Sequence, residues 1–296
     1  MLSFALIIVA ALVFSGIITR TKSICAGRKG PGLFQPLKDV ARLFKKGTVY
    51  SKNTTIIFKL APIVYLASVL TAAACVPFGG RPGLFSFEGD FVFFAYVLAL
   101  GKFFCIIAAL DAGSSFEGMG ASRESLYSML AEPAFFLILG SLSLMSGCIS
   151  FTQIFSNIDF YGNILGLGVG IVMAILLLLI AMIESSRLPI DDPKTHLELT
   201  MIHEVMILDN SGFDLGLILS AGYVKFAMYG ALIANFFIIG SLPLAIGIFA
   251  LVQLVCAVTI GATESFMARF RMVHNPEFIF SLTAAAFVVL FTIINY

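Results

Sequence analysis

The sequence has 296 residues, of which 59% are hydrophobic and 12% charged, and its formal net charge is +1. Soluble domains carry about 25% charged and about 45–50% apolar residues, so this composition excludes a soluble globular protein and predicts an integral membrane protein. We therefore expect a lipid bilayer around the chain and no nucleic-acid partner.

Eight stretches are long and apolar enough to cross a bilayer, which takes about 20 mostly apolar residues. The first has no basic leader, so we interpret it as a spanning helix and not as a cleaved signal. No polar segment between the spans is long enough for a soluble domain, and we expect one all-α polytopic membrane domain covering 1–296. The predicted spans are 2–19, 56–77, 91–110, 133–151, 162–183, 215–239, 242–262 and 277–295.

The first polar loop contains a Gly-Pro-Gly turn at 30–32, followed by a basic amphipathic segment. From Pro36 to Phe44, apolar residues recur at helical spacing with Lys and Arg among them, which predicts a short helix lying on the membrane surface. Two roles remain open for this helix: attraction to lipid headgroups alone, or a docking surface for a cytoplasmic protein.

Lys and Arg are divided very unevenly between the two sets of loops. Fifteen of them lie in or beside the loops after the first, third, fifth and seventh spans, whereas the loops on the other side hold Arg81 alone. Because basic loops stay in the cytoplasm, we expect both termini outside and every large polar loop on the cytoplasmic side.

Two patterns argue against cofactor sites. The loop after the third predicted span has glycines at 113, 118 and 120, which we expect to form tight turns. It lacks the lysine and the strand-to-helix context of a phosphate-binding loop, so nucleotide binding is not predicted. The five cysteines are far apart in the sequence, so we expect no metal site, iron–sulfur cluster or other cofactor on this chain.

Several ionisable residues lie inside or at the ends of the predicted spans. Lys102 and Lys225 fall within the third and sixth spans, where a charge costs roughly 2.5–3.5 kcal/mol and needs protein or water around it. Together with the nearby carboxylates they predict a hydrated polar path entering from the cytoplasmic face; structural ion pairs and interfacial solvation are the alternatives. These carboxylates belong to Asp111, Glu132, Glu184, Asp214 and Glu264.

The most polar interruption of the chain is 184–214, between the fifth and sixth spans. It is either a solvated connection or a buried polar site. Within it, 197–208 mixes apolar residues with Glu198, His203 and Glu204. Ionisable groups in such a pattern need partners when they are buried, so we predict a helix partly sunk in protein.

Two motifs in the predicted cytoplasmic loops are specific. One is G-P-G-L-F-Q-P from Gly30, followed by Asp39; the other is E-S-S-R-L-P-I-D from Glu184. They resemble the G-P…G-L-L-Q-P…D and E-x-x-R-x-P-F-D signatures of subunit 1 of respiratory complex I and its relatives in membrane-bound nickel–iron hydrogenases. The resemblance covers nearly the whole chain, and Gly120-Ala121 with Arg123, ahead of Glu132, resembles a third pattern less specifically.

The sequence departs from quinone-reactive complex I subunits after the second motif. Lys194 and His196 stand where those subunits carry acidic residues, and Glu198 is what remains of the acidic run. The stretch 191–209 is instead similar to the group 4 hydrogenase branch, such as formate hydrogenlyase and energy-converting hydrogenases. This departure argues against quinone binding.

The resemblance implies a non-catalytic subunit of an oxidoreductase complex in a prokaryotic cytoplasmic membrane. In that family the subunit anchors a peripheral hydrogenase module, whose large and small subunits carry the nickel–iron centre and the iron–sulfur clusters. It also links that module to antiporter-like membrane subunits and forms part of a proton or sodium route.

The resemblance and the charge pattern together assign candidate residues. Candidate docking or loop-ordering positions are Arg28, Gly30, Pro31, Gln35, Pro36, Asp39, Arg187, Asp191, Asp192 and His196. Candidate polar-path positions from the resemblance are Glu132, Glu184 and Glu198, and the charge pattern adds Lys102, Asp111, Glu204 and Lys225. Two other functions remain open: a quinone-site subunit of a complex I-type dehydrogenase, and a self-sufficient secondary transporter, although we find no convincing internal repeat of the kind such transporters show.

Overall fold

The computed structural model describes residues 1–158, 160, 164–192 and 200–295. Within these ranges the chain forms eleven α-helices and no β-strand, and eight of the helices have the length and hydropathy of membrane spans. The prediction of an all-α membrane protein with eight spans is therefore confirmed. The helices are α1 Leu2–Cys25, α2 Gln35–Leu43, α3 Ile56–Cys75, α4 Asp90–Asp111, α5 Ser115–Ser146, α6 Phe151–Asn157, α7 Ile164–Glu184, α8 His203–Met206, α9 Gly212–Asn235, α10 Leu242–Phe266 and α11 His274–Ile294.

The loops gather at two ends of the helix bundle. At one end, which we call the basic end, the loops after α1, α4, α7 and α10 contact one another: Thr55 bonds to Asp111, Val49 to Ser211, and Lys22 to Glu264. At the opposite end Asp90 accepts hydrogen bonds from Ser150 and from the backbone N–H of Phe151. The eight spans thus alternate in direction, as a polytopic chain with short outer connections requires.

Helix α9 lies at the centre of the bundle. It packs against α1, α3, α7 and α10, and 78% of its most apolar 18-residue window is buried, compared with 22–56% for the other spans. An α-helix that is apolar on every side belongs inside a bundle. Lys225, in the middle of α9, is therefore surrounded by protein and is 1% exposed.

The short amphipathic helix predicted from Pro36 is present as α2. Its Val40 is buried, and the helix packs against α1 and α9. Gly216 of α9 allows this close approach, because a Cβ there would lie 3.1 Å from the ring of Phe44. Helix α2 is thus fixed to the protein through its apolar side, which accounts for the amphipathic pattern without requiring lipid on that side.

The prediction of a glycine-rich loop before the fourth span was wrong in extent. Helix α5 begins at Ser115, eighteen residues before the predicted start, and runs through Gly118 and Gly120. Of the three glycines, Gly113 alone has a positive φ, +68°, and forms the turn that precedes the helix. Gly120 serves a different purpose, since a Cβ there would lie 2.5 Å from the Val205 side chain and 2.8 Å from the Met206 backbone nitrogen.

The predicted helix over 197–208 is also wrong in its described part. Residues 197–199 lie outside the described ranges, and the helix that follows, α8, spans His203–Met206 alone. Val205 and Met206 are buried against α5. They are among the apolar residues that produced the helical pattern in the sequence. One helical turn suffices to bury them.

The close packing at Gly120 gives a test of this fold. We expect Gly120→Ala to lower the free energy of unfolding by about 1–3 kcal/mol, because the added methyl group overpacks the contact with α8. Gly118→Ala, two residues earlier on the same helix, meets nothing within 4 Å. That control should be neutral or stabilise by up to about 1 kcal/mol through helix propensity. Unfolding of both purified variants in detergent measures the difference; equal behaviour would contradict the packing described.

Candidate functional site: buried ion pairs between two cavities

Two lysines from different helices meet at one carboxylate inside the bundle. Lys102 Nζ of α4 lies 2.8 Å from Glu184 Oε1, and Lys225 Nζ of α9 lies 3.1 Å from Glu184 Oε2. Glu184 is the last residue of α7, and Lys225 also lies 3.4 Å from its backbone carbonyl oxygen. Both carboxylate oxygens of Glu184 are therefore held by positively charged donors.

The chain of ion pairs extends to α5 on one side and α3 on the other. Glu124 Oε1 of α5 lies 3.4 Å from Lys102 Nζ. At the other end Lys225 Nζ lies 5.4 Å from the centre of the Tyr65 ring in α3, within cation–π range. Five spanning helices thus contribute to one line of polar groups: α5, α4, α7, α9 and α3.

The electrostatics of this line are balanced. Its four ionisable side chains are 1–12% exposed and comprise two carboxylates and two ammonium groups. A buried charge without a partner costs several kcal/mol, and pairing with good geometry offsets much of this cost. The arrangement therefore lets two lysines lie within the spans, and it changes its net charge whenever one proton enters or leaves.

A small cavity of about 60 Å³ lies beside this line. Lys102, Glu184, Glu132 and Tyr229 line it together with apolar residues of α4, α5 and α7. A water molecule needs about 10–15 Å³ of such space and two or more polar partners. The cavity can accordingly hold a few waters between Glu184 and Glu132.

A larger cavity of about 340 Å³ also has Glu184 in its lining and lies towards the basic end. Glu184 therefore borders both cavities. The larger cavity brings together residues from both sequence motifs and from the 200–210 region. Its ionisable and motif residues are Pro31, Gln35, Pro36, Asp39, Tyr65, Glu184, Ser185, Ser186, Arg187, His203, Glu204 and Tyr223.

The loop that follows Glu184 is fixed by ion pairs to two other parts of the chain. Arg187 Nη1 lies 3.0 Å from Glu264 Oε1 of α10, and Lys22 Nζ of α1 lies 3.4 Å from Glu264 Oε2 and 3.7 Å from Asp192 Oδ1. Together these contacts tie the loop to α1 and α10. A loop so constrained presents a defined surface at the basic end.

Asp191 organises the same loop from inside. Its Oδ2 accepts the backbone N–H of His203 at 2.9 Å, and its Oδ1 lies 3.1 Å from Arg269 Nη2. Burial raises the pKa of the Asp191 carboxyl, whereas the His203 N–H and the Arg269 guanidinium favour the ionised form. The second motif thus supplies the residue that joins the loop to the region after 200.

The candidate residues separate into several groups. Of the polar-path candidates, Lys102, Glu184 and Lys225 form the ion-pair line, Glu132 borders the small cavity and Glu204 borders the large one. Asp111 lies apart from the line, because its Oδ2 accepts hydrogen bonds from the backbone N–H and hydroxyl of Thr55 at the start of α3.

Most of the docking candidates border the large cavity or belong to the fixed loop beside it, and two others lie in the connection between α1 and α2. The exposed Arg28 donates its backbone N–H to the Ser23 carbonyl, and Gly30 packs against the Ser23 side chain. His196 and Glu198, like Lys194, fall outside the described residues. The candidates that border the cavity are Pro31, Gln35, Pro36, Asp39 and Arg187, and those in the fixed loop are Asp191 and Asp192.

Sequence reasoning missed several groups of the site. Glu124 was assigned to a loop, although it precedes Glu132 by eight residues and so lies near the same side of α5. The pairing of Lys22 with Glu264 joins the first and seventh spans, and no sequence pattern predicts such a long-range contact. Among the described residues, no cluster of three or more His, Cys, Asp or Glu side chains could hold a metal ion.

A family model described as NADH dehydrogenase matches residues 1–294. The chain belongs to this family of complex I subunit 1-like proteins. The family inferred from the two loop motifs is therefore confirmed.

The individual relatives come from hydrogenases and from a quinone oxidoreductase. The chain is 31% identical over 293 residues to hydrogenase-4 component C of Escherichia coli K12, with 93% of this chain and 90% of the relative covered. It is 28% identical over 278 residues to formate hydrogenlyase subunit 4 of the same organism, with 90% and 89% covered. A subunit of the NADH-quinone oxidoreductase of Rickettsia rickettsii is 26% identical over 226 residues, with 73% and 65% covered.

A solved structure shares the fold of the whole chain. A chain of the archaeal membrane-bound sulfane sulfur reductase, a respiratory membrane complex, superposes with a TM-score of 0.79 at 18% identity, covering 99% of this chain and 98% of that one. The eight-span arrangement therefore recurs in that complex.

The double pairing of Glu184 predicts a large effect on stability. We expect Glu184→Gln to lower the free energy of unfolding by about 3–5 kcal/mol, because it leaves two buried ammonium groups without their shared counter-charge. Glu277→Gln is the matched control, since the Glu277 side chain is 71% exposed and pairs with His274 one turn away. It should change stability by less than about 1 kcal/mol. Unfolding midpoints in detergent measure both variants, and equal losses would contradict the assigned burial.

Proposed function

We propose that this chain is the membrane anchor and ion-coupling subunit of a membrane-bound nickel–iron hydrogenase complex. The observation that carries the proposal is the position of Glu184: it joins two buried lysines and borders two cavities. The similarity to hydrogenase-4 component C and formate hydrogenlyase subunit 4 supports the hydrogenase setting.

The basic end of the bundle would face the cytoplasm of a prokaryotic inner membrane, with both termini outside. The distribution of Lys and Arg supports this orientation, since basic loops are retained on the cytoplasmic side. The large cavity and the fixed loop at 187–192 would then lie on the side where a peripheral hydrogenase module can dock.

The partners would be the hydrogenase large and small subunits at the basic end and antiporter-like subunits within the membrane. The nickel–iron centre and the iron–sulfur clusters would lie on those partner chains. The fixed loop supports this docking role, because its ion pairs with α1 and α10 give a preformed surface. A preformed surface loses less conformational entropy when a partner binds.

The buried ion pairs suggest how a redox step could be coupled to ion movement. A change of charge in the docked module alters the field at the large cavity, and buried groups feel such a field with little screening. The balance between Glu184 and its two lysines would shift, so that a proton moves between Glu184 and the waters that reach Glu132. Coupling of this kind requires that the ion-pair line has two charge states. Both the docked module and the moving ion must shift the balance between those states.

Lys225 provides the direct test of this proposal. We expect Lys225→Met to reduce ion translocation in vesicles at least about tenfold, a barrier increase of about 1.4 kcal/mol, because it unbalances the line of ion pairs. Hydrogen production should fall less, so the ratio of ions moved to hydrogen produced should decrease. Lys59→Met, at an exposed position against Tyr50, is the control. Normal translocation and normal hydrogen production in Lys225→Met would remove Lys225 from the mechanism.

A second candidate function is a quinone-site subunit. It is favoured by the large cavity, which has room for a small organic molecule, and by the similarity to the NADH-quinone oxidoreductase subunit of Rickettsia rickettsii. Ligand cavities are often about 300–1,000 Å³ and mostly apolar with a few polar groups. The cavity of about 340 Å³ falls in that range.

Filling the cavity separates the two functions. Gly222 borders the large cavity and a Cβ there meets nothing within 4 Å, so Gly222→Leu should narrow the cavity while leaving the fold intact. Under the hydrogenase proposal, hydrogen production by the intact complex should change less than about threefold, well under 1.4 kcal/mol. Under the quinone alternative, quinone reduction should be abolished. Gly247→Leu in α10, which also has open space around it, is the matched control.

A further inference from the structure

The segment 200–210 connects the large cavity to the start of α5. Its His203 and Glu204 border the cavity, while Val205 and Met206 are buried and pack against α5. The position of this segment therefore sets where two ionisable side chains stand relative to Glu184.

Three contacts hold the segment. Arg123 Nη1 of α5 donates to the Met201 carbonyl oxygen at 2.8 Å, and the His203 N–H donates to Asp191 at 2.9 Å. At the far end, the backbone N–H of Asp209 donates to Glu117 Oε1 at 2.8 Å. The first and second contacts hold the beginning of the segment, and the contact at Glu117 holds its end.

Glu117 stands out among the carboxylates of the basic end. Its side chain is fully buried, and its Oε2 has no hydrogen-bond partner within the described part of the chain. In the same ranges no Lys, Arg or His pairs with it, and the group that faces it from the segment is the carboxylate of Asp209. A carboxylate without a cation, next to another carboxylate, is an unfavourable place for a negative charge.

The other charged groups near this end of α5 are engaged elsewhere. On α5 itself, Arg123 bonds to the Met201 carbonyl and Glu124 pairs with Lys102. From the end of α4, Asp111 bonds to Thr55, and from the segment, His203 and Glu204 face the large cavity. Glu117 and Asp209 thus form a pair of their own.

We propose that Glu117 is a proton-binding positioning residue: its neutral carboxyl holds the end of segment 200–210 against α5, and loss of its proton releases that end. The neutral carboxyl still accepts the Asp209 N–H through its carbonyl oxygen. The ionised form would repel the Asp209 carboxylate and draw water into the contact. Protonation of Glu117 therefore fixes the segment that carries His203 and Glu204.

A proton bound at Glu117, away from the ion-pair line, would thereby change the wall of the large cavity. The role of this proton in coupling rests on the proposed function. The observation that supports it is nevertheless a contact within this chain. It can be tested without any measurement of hydrogen production or ion movement.

The test is hydrogen–deuterium exchange of the full complex in lipid nanodiscs, followed over peptides that cover 200–210. After correction for the intrinsic pH dependence of exchange, protection in the unaltered protein should fall about tenfold or more between about pH 6 and about pH 9, as expected for release on deprotonation. Glu117→Gln keeps the acceptor oxygen and cannot ionise, so its protection should stay high over the whole range. Equal pH dependence in the two proteins would overturn the proposal, as would no pH dependence in the unaltered protein.

Two further variants keep the result decisive if Glu117→Gln fails to assemble. Asp209→Asn leaves Glu117 and the backbone N–H in place and removes the repelling carboxylate, so the total loss of protection between about pH 6 and about pH 9 should be smaller than in the unaltered protein; an unchanged profile would contradict the proposal. Glu88→Gln changes an exposed carboxyl in the connection before α4 at the opposite end and should behave like the unaltered protein; a flattened profile there would also contradict it. Failure of ion translocation assays would bear on the proposed function and would leave this exchange result standing.

Discussion

The structure depends on one carboxylate that lies between two buried ammonium groups. Glu184 ends α7, and its two oxygens pair with Lys102 of α4 and Lys225 of α9. A lysine inside a membrane span is tolerated only where protein or water replaces its hydration. This pairing therefore fixes how α4, α7 and α9 are rotated towards one another, and it places a charge-sensitive group at the border of two cavities.

The loops at the basic end are also held in place by ion pairs. Arg187, Asp191 and Asp192 follow Glu184 in the sequence, and each is held by a residue from a distant part of the chain. Charged groups that would otherwise lie free in a solvated loop are thereby used to order it. The result is a surface held by ion pairs beside the larger cavity, joined through Glu184 to the interior of the bundle.

Much of the fold could be predicted from the sequence, because membrane spans are recognisable as long apolar runs. Lys102 and Lys225 could also be identified as candidate site residues, since a charged side chain within an apolar run needs a partner or water. Their common partner, Glu184, could not be predicted, because ion pairing depends on how the helices pack and not on the local sequence pattern. Glu124 was missed for a related reason: Gly118 and Gly120 suggested a loop, whereas Gly120 in fact lies within α5 and allows close contact with Val205.

The measurement that tests the account most directly is a double-mutant cycle on ion translocation per hydrogen produced, in vesicles containing the complex with Glu184→Gln, Lys225→Met, or both. Residues that act as one charged unit give strongly non-additive effects, whereas independent residues add. Because each single change already breaks the balance around Glu184, the account predicts that the double variant is no worse than the more damaged single variant. A double variant whose loss equals the product of the two single losses would contradict it.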